Sequence, residues 1–412
     1  MNTVDIPLGH TTLASTRPAW GAVLSLALCV CVLIASEFMP VSLLTSIAHD
    51  LGMSEGRAGQ AISISGIFAV LTSLLNAPLT GRFDRRRVLL GFTALLTLSG
   101  VVVALAGNYS VFMLGRALLG VAIGGFWSMS TATIMRLVPA HAVPKALAIL
   151  NGGNALAATI AAPLGSFLGQ YLGWRGAFFM VVPLAVAAFA WQWTRMPTMP
   201  GAQRNTSGSP FVLLRRPEVA LGMAAVMLLF MGQFAVFTYL RPFLETITSV
   251  TVSTLSLMLL LMGASGLVGT YIVGQLLKAR WFSYLVLIPL SMAVLALLLI
   301  ALGTSASAVA VLLLGWGLVG TAAPVAWGVW LSKTLPHDAE AGGGLMVAAI
   351  QLAIALGAGL GGALFDAVGW WSTFALGALL LTGSAVLAWA AWWVARPPKM
   401  QTAVAARQAR RG

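Results

Sequence analysis

Long apolar runs separated by short polar breaks are the dominant pattern of this chain. The first, WGAVLSLALCVCVLIASEFMPVSLL, occupies 20–44, and others follow at about 59–80, 88–107, 110–135, 146–171 and 177–194. After a polar stretch rich in Gly, Pro, Ser and Arg come six more, at about 219–242, 254–277, 281–303, 306–331, 342–365 and 371–395. A helix crosses the hydrocarbon core with about 20 residues, so each run is long enough. The pattern predicts an all-α membrane protein of 12 transmembrane helices in two six-helix bundles, at 20–194 and 219–395. A tail at 1–19, a linker at 195–218 and a basic tail at 396–412 complete the expected organisation.

Composition agrees with the pattern. Only 8% of the 412 residues are charged, against about 25% in soluble domains. A net charge of +13 would suit a nucleic-acid partner, but the cations lie in short loops and tails, where they set membrane orientation. With twelve spans, 19 Lys and Arg fall on the side of the termini and three (Arg57, Arg175, Arg241) on the opposite side, while Arg116 lies inside the fourth run. Both termini and the linker are therefore expected in the cytoplasm of a multi-pass protein, with the basic tail against anionic lipid. The two cysteines, Cys29 and Cys31, are two residues apart on a helix and point to different faces, so neither a disulfide nor a metal site is expected. No cleavable signal peptide is expected, because the first apolar run is too long and lacks a small-residue cleavage site.

The two halves repeat each other. GRALLGVAIGGFW at 115–127 aligns with GWGLVGTAAPVAW at 315–327, matching Gly115, Leu118, Gly120, Ala122 and Trp127 to Gly315, Leu318, Gly320, Ala322 and Trp327. PLGSFLGQYLGW at 163–174 aligns with GLGGALFDAVGW at 359–370. Six-helix halves in parallel repeat point to a transporter with its site between them near mid-membrane.

Within the first run, Glu37 is the one Asp, Glu, Lys, Arg or His between Arg17 and His49. An acid at that depth costs about 2.5 kcal/mol or more, so such residues face a cavity and work there. Burial disfavours the ionised form of a carboxyl, which makes Glu37 the leading candidate for carrying a proton; the alternative is an acid paired permanently with a neighbouring cation. Arg116 is expected at similar depth, about 10 Å below the outer end at 1.5 Å per residue. It either exchanges influence with Glu37 during a cycle or ties the fourth span to backbone carbonyls or to Glu37.

Enzyme chemistry has no foothold here. There is no Walker lysine loop, the isolated His10, His49, His141 and His337 lack zinc-ligand spacing, and no nucleophile–base–orienter set can be picked out. No catalytic residue, metal or bound cofactor is expected, and energy from ATP on this chain is not expected.

The basic turn GRFDRRRVLL, with Asp84, Arg85 and Arg87, resembles the gating-loop motif of the major facilitator superfamily, although Gly81 stands three residues before Asp84. Arg116 fits the buried-arginine motif of the drug:proton antiporter branch, and GNALAATIAAPLGSFLG, with Gly153, Pro163 and Gly165, is similar to its antiporter motif. The stretches RPAWGAVLSLALCVCVLIASEFMPVSLLTSIAHDLGMSEG, GRALLGVAIGGFWSMSTATIMRLVPAHAVPKAL, AAPLGSFLGQYLGWR and GQFAVFTYLRP look like bacterial purine ribonucleoside efflux pumps. The resemblance implies the major facilitator fold in two pseudo-symmetric bundles, in the bacterial inner membrane. It also implies proton antiport, with purine ribonucleosides or analogues, protons and the lipid bilayer as partners, no nucleic acid, and a monomer. Sugars or drugs are the alternative cargo. A nucleoside would be held by aromatic faces and amide edges. The candidates are Phe38, Trp127, Asn151, Asn154, Gln233, Phe237, Tyr239, Trp327 and Gln351; Gln233 and Phe237 share a helix face at i, i+4.

Overall fold

The computed structural model describes residues 18–80, 82–200, 210–336 and 338–395. The 1–17 and 396–412 tails, residues 201–209 of the predicted linker, Gly81 and His337 lie outside the described residues, as does His10.

The described chain is helical almost throughout. In order come α1 (Trp20–Asp50), α2 (Glu55–Thr80), α3 (Arg85–Ala104), α4 (Tyr109–Leu137), α5 (Val143–Phe179) and α6 (Val181–Arg195). Then follow α7 (Pro217–Thr238), α8 (Leu240–Thr246), α9 (Val252–Leu302), α10 (Ala306–Gly320), α11 (Ala323–Thr334), α12 (Ala339–Val368) and α13 (Trp370–Val394). A membrane interior offers backbone groups no water, so a spanning segment must satisfy them within a helix. Local chemistry marks the ends. The Asn108 and Ser305 side chains accept from Val111 N and Ala308 N at the starts of α4 and α10. Gly369 (φ 116°) allows the turn between α12 and α13 that a side chain would strain.

Eleven stretches among the described residues are long and apolar enough to cross a membrane. The chain is a multi-pass membrane protein. The count differs from the predicted twelve because Lys145–Arg195 forms one such stretch; it is broken inside by Gly173, whose φ of 70° and ψ of 169° are not helical. The runs at 254–277 and 281–303 form one element, α9, instead of two. Both its arms pack on α10, with Gly317 against Met262 and Gly315 against Leu295, so the chain reverses direction between them. The run at 306–331 is divided at 321–322 into α10 and α11. The first helix continues six residues past the predicted end at 44, to Asp50, where Leu51 and the left-handed Gly52 stop it.

Two hydrophobic cores result, one drawn almost wholly from α1–α6 and the other from α7–α13. They interdigitate: Tyr239 sits in the first, while Val41, Ile62 and Ala162 sit in the second. The halves meet along two antiparallel seams, α2 on α12 and α5 on α9, with α1 facing α8 between them. Six hydrogen bonds across these contacts run from the level of Glu37 towards the end opposite the termini, here the far end.

Candidate functional site

Arg116 lies seven residues into α4, about 10 Å along its axis, and is 1% exposed. Its planar fork of donors reaches two other helices. Nε donates to Ala61 O (3.0 Å), Nη1 to Ser36 O (2.7 Å), and Nη2 to Glu37 O (3.2 Å) and Ser65 Oγ (3.1 Å). The approach depends on two glycines. A side chain at Gly120 or Gly124 would run into the α2 backbone at Ser65 or Ala69. The guanidinium thus ties α4 to α1 and α2.

Glu37 is next to this fork but held differently. It is 3% exposed, and Arg116 takes its backbone carbonyl; among the described residues no ion pair joins the guanidinium to the carboxyl. The carboxyl Oε1 instead accepts from Gln351 Nε2 of α12 at 3.3 Å. The bond crosses from the N-terminal to the C-terminal half.

The neighbouring residue brings aromatics to the same boundary. Phe38 packs at 5.6 Å from Phe234 and, edge-on, at 6.2 Å from Phe237, which are themselves 5.9 Å apart. Phe234 was not among the sequence candidates, though it lies between Gln233 and Phe237 and shares a face with Phe237 at i, i+3. Gln233, on the same helix, has a buried side-chain oxygen without a hydrogen-bond partner among the described residues. The structure therefore gathers Glu37, Phe38, Phe237 and Gln351, with Gln233 one residue from the cluster's Phe234.

Other candidates are set apart. Tyr239 is fully buried, donates its hydroxyl to Ala358 O (2.7 Å) and stacks on Phe365. Trp327, 1% exposed, packs on Trp330 inside the C-terminal half. Trp127 is half-buried beside Phe126 on α4. On α5, Asn154 is half-buried, while Asn151 is exposed and returns its amide to Leu147 O.

The motif residues do local work. Gly153 and Gly165 of α5 face α1 at Ala27 and at Met39 and Ser42, and Pro163 lies within the same helix. They let α5 close on α1 above and below Glu37. Asp84 caps α3 through Arg86 N (2.8 Å) and also accepts from Met199 N (3.0 Å), while Arg85 N donates to Met199 O (2.9 Å). Arg87 is exposed. The turn therefore holds the chain leaving α6. Among the described residues, no cluster of three or more His, Cys, Asp or Glu could hold a metal.

Comparison with known proteins agrees with this architecture. The Major Facilitator Superfamily model matches residues 26–342. The chain is 56% identical to the transcription regulatory protein OpdE of Pseudomonas aeruginosa, over 90% of this chain and 93% of that protein. It is 42% identical to the purine ribonucleoside efflux pump NepI of Salmonella paratyphi B, over 90% of this chain and 94% of the pump, and equally similar to that of Salmonella enteritidis PT4. A helical, multi-pass chain with a buried carboxyl where its halves meet, matched over most of its length, is a transporter of small molecules and not an enzyme; it belongs to the Major Facilitator Superfamily.

Proposed function

We propose that this protein is a proton-coupled antiporter. It would export purine ribonucleosides (inosine, adenosine, guanosine) and toxic purine analogues from the cytoplasm by alternating access. The observation that carries the proposal is the place of Glu37: a carboxyl buried where the two halves meet, bonded across the boundary to Gln351 and beside the Phe38–Phe234–Phe237 cluster. Rocking the halves apart at either end breaks or solvates that contact, so the carboxyl takes its proton on one side and releases it on the other. Arg116 contributes by fixing α1 at this depth. Phe38 and Phe237 offer faces for the base, worth about 1–3 kcal/mol per stacked base; Gln233 and Gln351 offer amide edges, Trp127, Asn151 and Asn154 line the route, and Tyr239 and Trp327 support it from within the packed helices. Asp84, Arg85 and Arg87 gate the end bearing the termini, and Gly153, Pro163 and Gly165 shape α5 for the antiporter's motion.

The remaining organisation belongs to the same proposal. Twelve crossings follow if Lys145–Arg195 and α9 each cross twice, in two pseudo-symmetric bundles at 20–194 and 219–395. With the cations concentrated on one side, the termini and the 195–218 linker are cytoplasmic and the membrane is the bacterial inner membrane. The chain acts as a monomer without a cofactor, driven by the proton gradient.

Purified protein in liposomes with an imposed proton gradient tests this. Labelled inosine should accumulate, and should cease to do so when an ionophore collapses the gradient or when Glu37→Gln replaces the wild type. Movement of an arabinose-like sugar or a hydrophobic drug in place of inosine would keep the coupling and change the cargo. The name of the Pseudomonas aeruginosa relative favours a second reading, in which a transporter affects transcription by setting the level of an inducing small molecule. Transport without any transcriptional change in a deletion strain would remove that reading.

A further inference from the structure

The start of α2 is completed by a residue from the other half of the protein. A helix leaves its first four N–H groups without internal partners. At α2, Ser54 caps one, its Oγ accepting from Arg57 N at 3.2 Å. The next donor, Gly56 N, is taken by Asp366 Oδ1 of α12 at 3.1 Å, and Asp366 Oδ2 accepts from the Ser54 hydroxyl at 2.6 Å. The positive end of a helix dipole favours that carboxylate. Close approach is built in: a side chain at Gly56 would meet Asp366 and the Gly362 carbonyl.

Among the described residues, the other seam lacks this device. At α9 the cap is local, Thr251 Oγ1 accepting from Thr254 N. Across α5 and α9 the polar contact is a neutral one, Ser256 Oγ to Ser166 Oγ at 2.9 Å. In the aligned repeat, Gln170 stands where Asp366 stands, and it is exposed. When the far end separates, α9 keeps its cap and α2 loses part of its own.

We propose that Asp366 is the latch of the far end: a positioning residue whose trans-helix cap on α2 favours the closed arrangement and must be released each time that end opens. The inference rests on the alternating-access reading above but not on the identity of the cargo. Loss of such a cap shifts a two-state balance by roughly three- to tenfold, tenfold corresponding to about 1.4 kcal/mol.

The test is a distance measurement across the far end in the full chain in lipid nanodiscs. Spin labels are placed at Leu105→Cys and Val368→Cys, both exposed, after Cys29→Ser and Cys31→Ser. Wild type should give a dominant short distance and a minor long one. Asp366→Ala should raise the long population about three- to tenfold, Asp366→Asn less, because its amide oxygen still accepts from Gly56 N, and Ser54→Ala least. Gln170→Ala should leave the distribution unchanged. An unchanged distribution in Asp366→Ala, with lowered thermal stability alone, would reduce Asp366 to a local folding role and overturn the latch. If that variant fails to reach the membrane, Asp366→Asn and Ser54→Ala decide by the same criterion. A wild type with a single distance at every pH, in which Asp366→Ala also shows that one distance, would overturn the latch together with the alternating-access reading, and only that case touches both.

Discussion

Two buried ionisable groups, Glu37 and Arg116, stand side by side and are held in contrasting ways. Every polar group that Arg116 meets belongs to its own half of the protein: the Ser36, Glu37 and Ala61 carbonyls and the Ser65 hydroxyl. Glu37 has its side-chain partner, Gln351, in the other half. A movement of one half against the other leaves the arginine's bonds intact and disturbs the carboxyl's bond. Burial alone therefore does not mark a working residue. What separates the two is whether the partner moves with the group.

The contrast is broken most directly by Glu37→Gln. The amide is nearly the same shape and still offers Gln351 an acceptor, but it cannot carry a proton. Gradient-driven inosine accumulation should fall to the level of empty liposomes, while the melting temperature stays near that of wild type. A large loss of thermal stability in this variant would show that the carboxyl is structural.

Arg116→Leu should do the reverse. It removes charged donors from three carbonyls and a hydroxyl; hydrogen bonds to charged groups contribute about 1.5–3 kcal/mol each, so a loss of about 3 kcal/mol or more is expected. Denaturation in detergent should show it as a large fall in melting temperature, and Arg116→Lys, a point charge that cannot reproduce the fork, should recover part of the loss. Full stability with lost coupling would place Arg116 in the proton step itself.

How far the sequence foretold this arrangement follows from the same contrast. Glu37 and Arg116 were legible because a charge inside an apolar run is costly and conspicuous. Gln351 was legible as an amide at membrane depth, which needs partners. Which helix would supply the partner was not, since hydropathy places residues by depth and carries no information on neighbours. For that reason neither Asp366 nor Ser65 stood out in the sequence. Tyr239 and Trp327 were picked for their aromatic faces, and packing uses those faces. The helical, multi-pass character was legible from the apolar runs, but the breaks between helices, and with them the count, were not. A single residue with φ of 70° at Gly173 divides a helix without interrupting the apolar pattern, and the reversal inside α9 follows from both arms packing on α10.

Gln351→Leu is the next test in size. Its loss leaves the carboxyl without its hydrogen-bond partner across the boundary, a cost of about 1–2 kcal/mol, or roughly a tenfold rise in the inosine concentration for half-maximal transport. Proton coupling should persist, because the carboxyl remains. Equal loss of coupling and affinity would show that Gln351 shares the proton step.

Ser65→Ala is the smallest expected effect and the sharpest control. Ser65 is 1% exposed, accepts from Arg116 Nη2 at 3.1 Å, and its hydroxyl lies 3.0 Å from the Ile62 carbonyl of its own helix. Removing the hydroxyl takes away one of four bonds to the guanidinium and leaves the three to carbonyls. A loss of about 1 kcal/mol in stability is expected, with transport rate and coupling unchanged, because the hydroxyl's hydrogen-bond partners, Ala61, Ile62 and Arg116, stay within one half. If Arg116 shares in the proton step, its charge must be redistributed when a bond to it is lost. Ser65→Ala would then alter the dependence of transport on the proton gradient at unchanged stability. The two outcomes differ in which measurement moves, so even a modest effect distinguishes an arginine that holds helices together from one that takes part in the cycle.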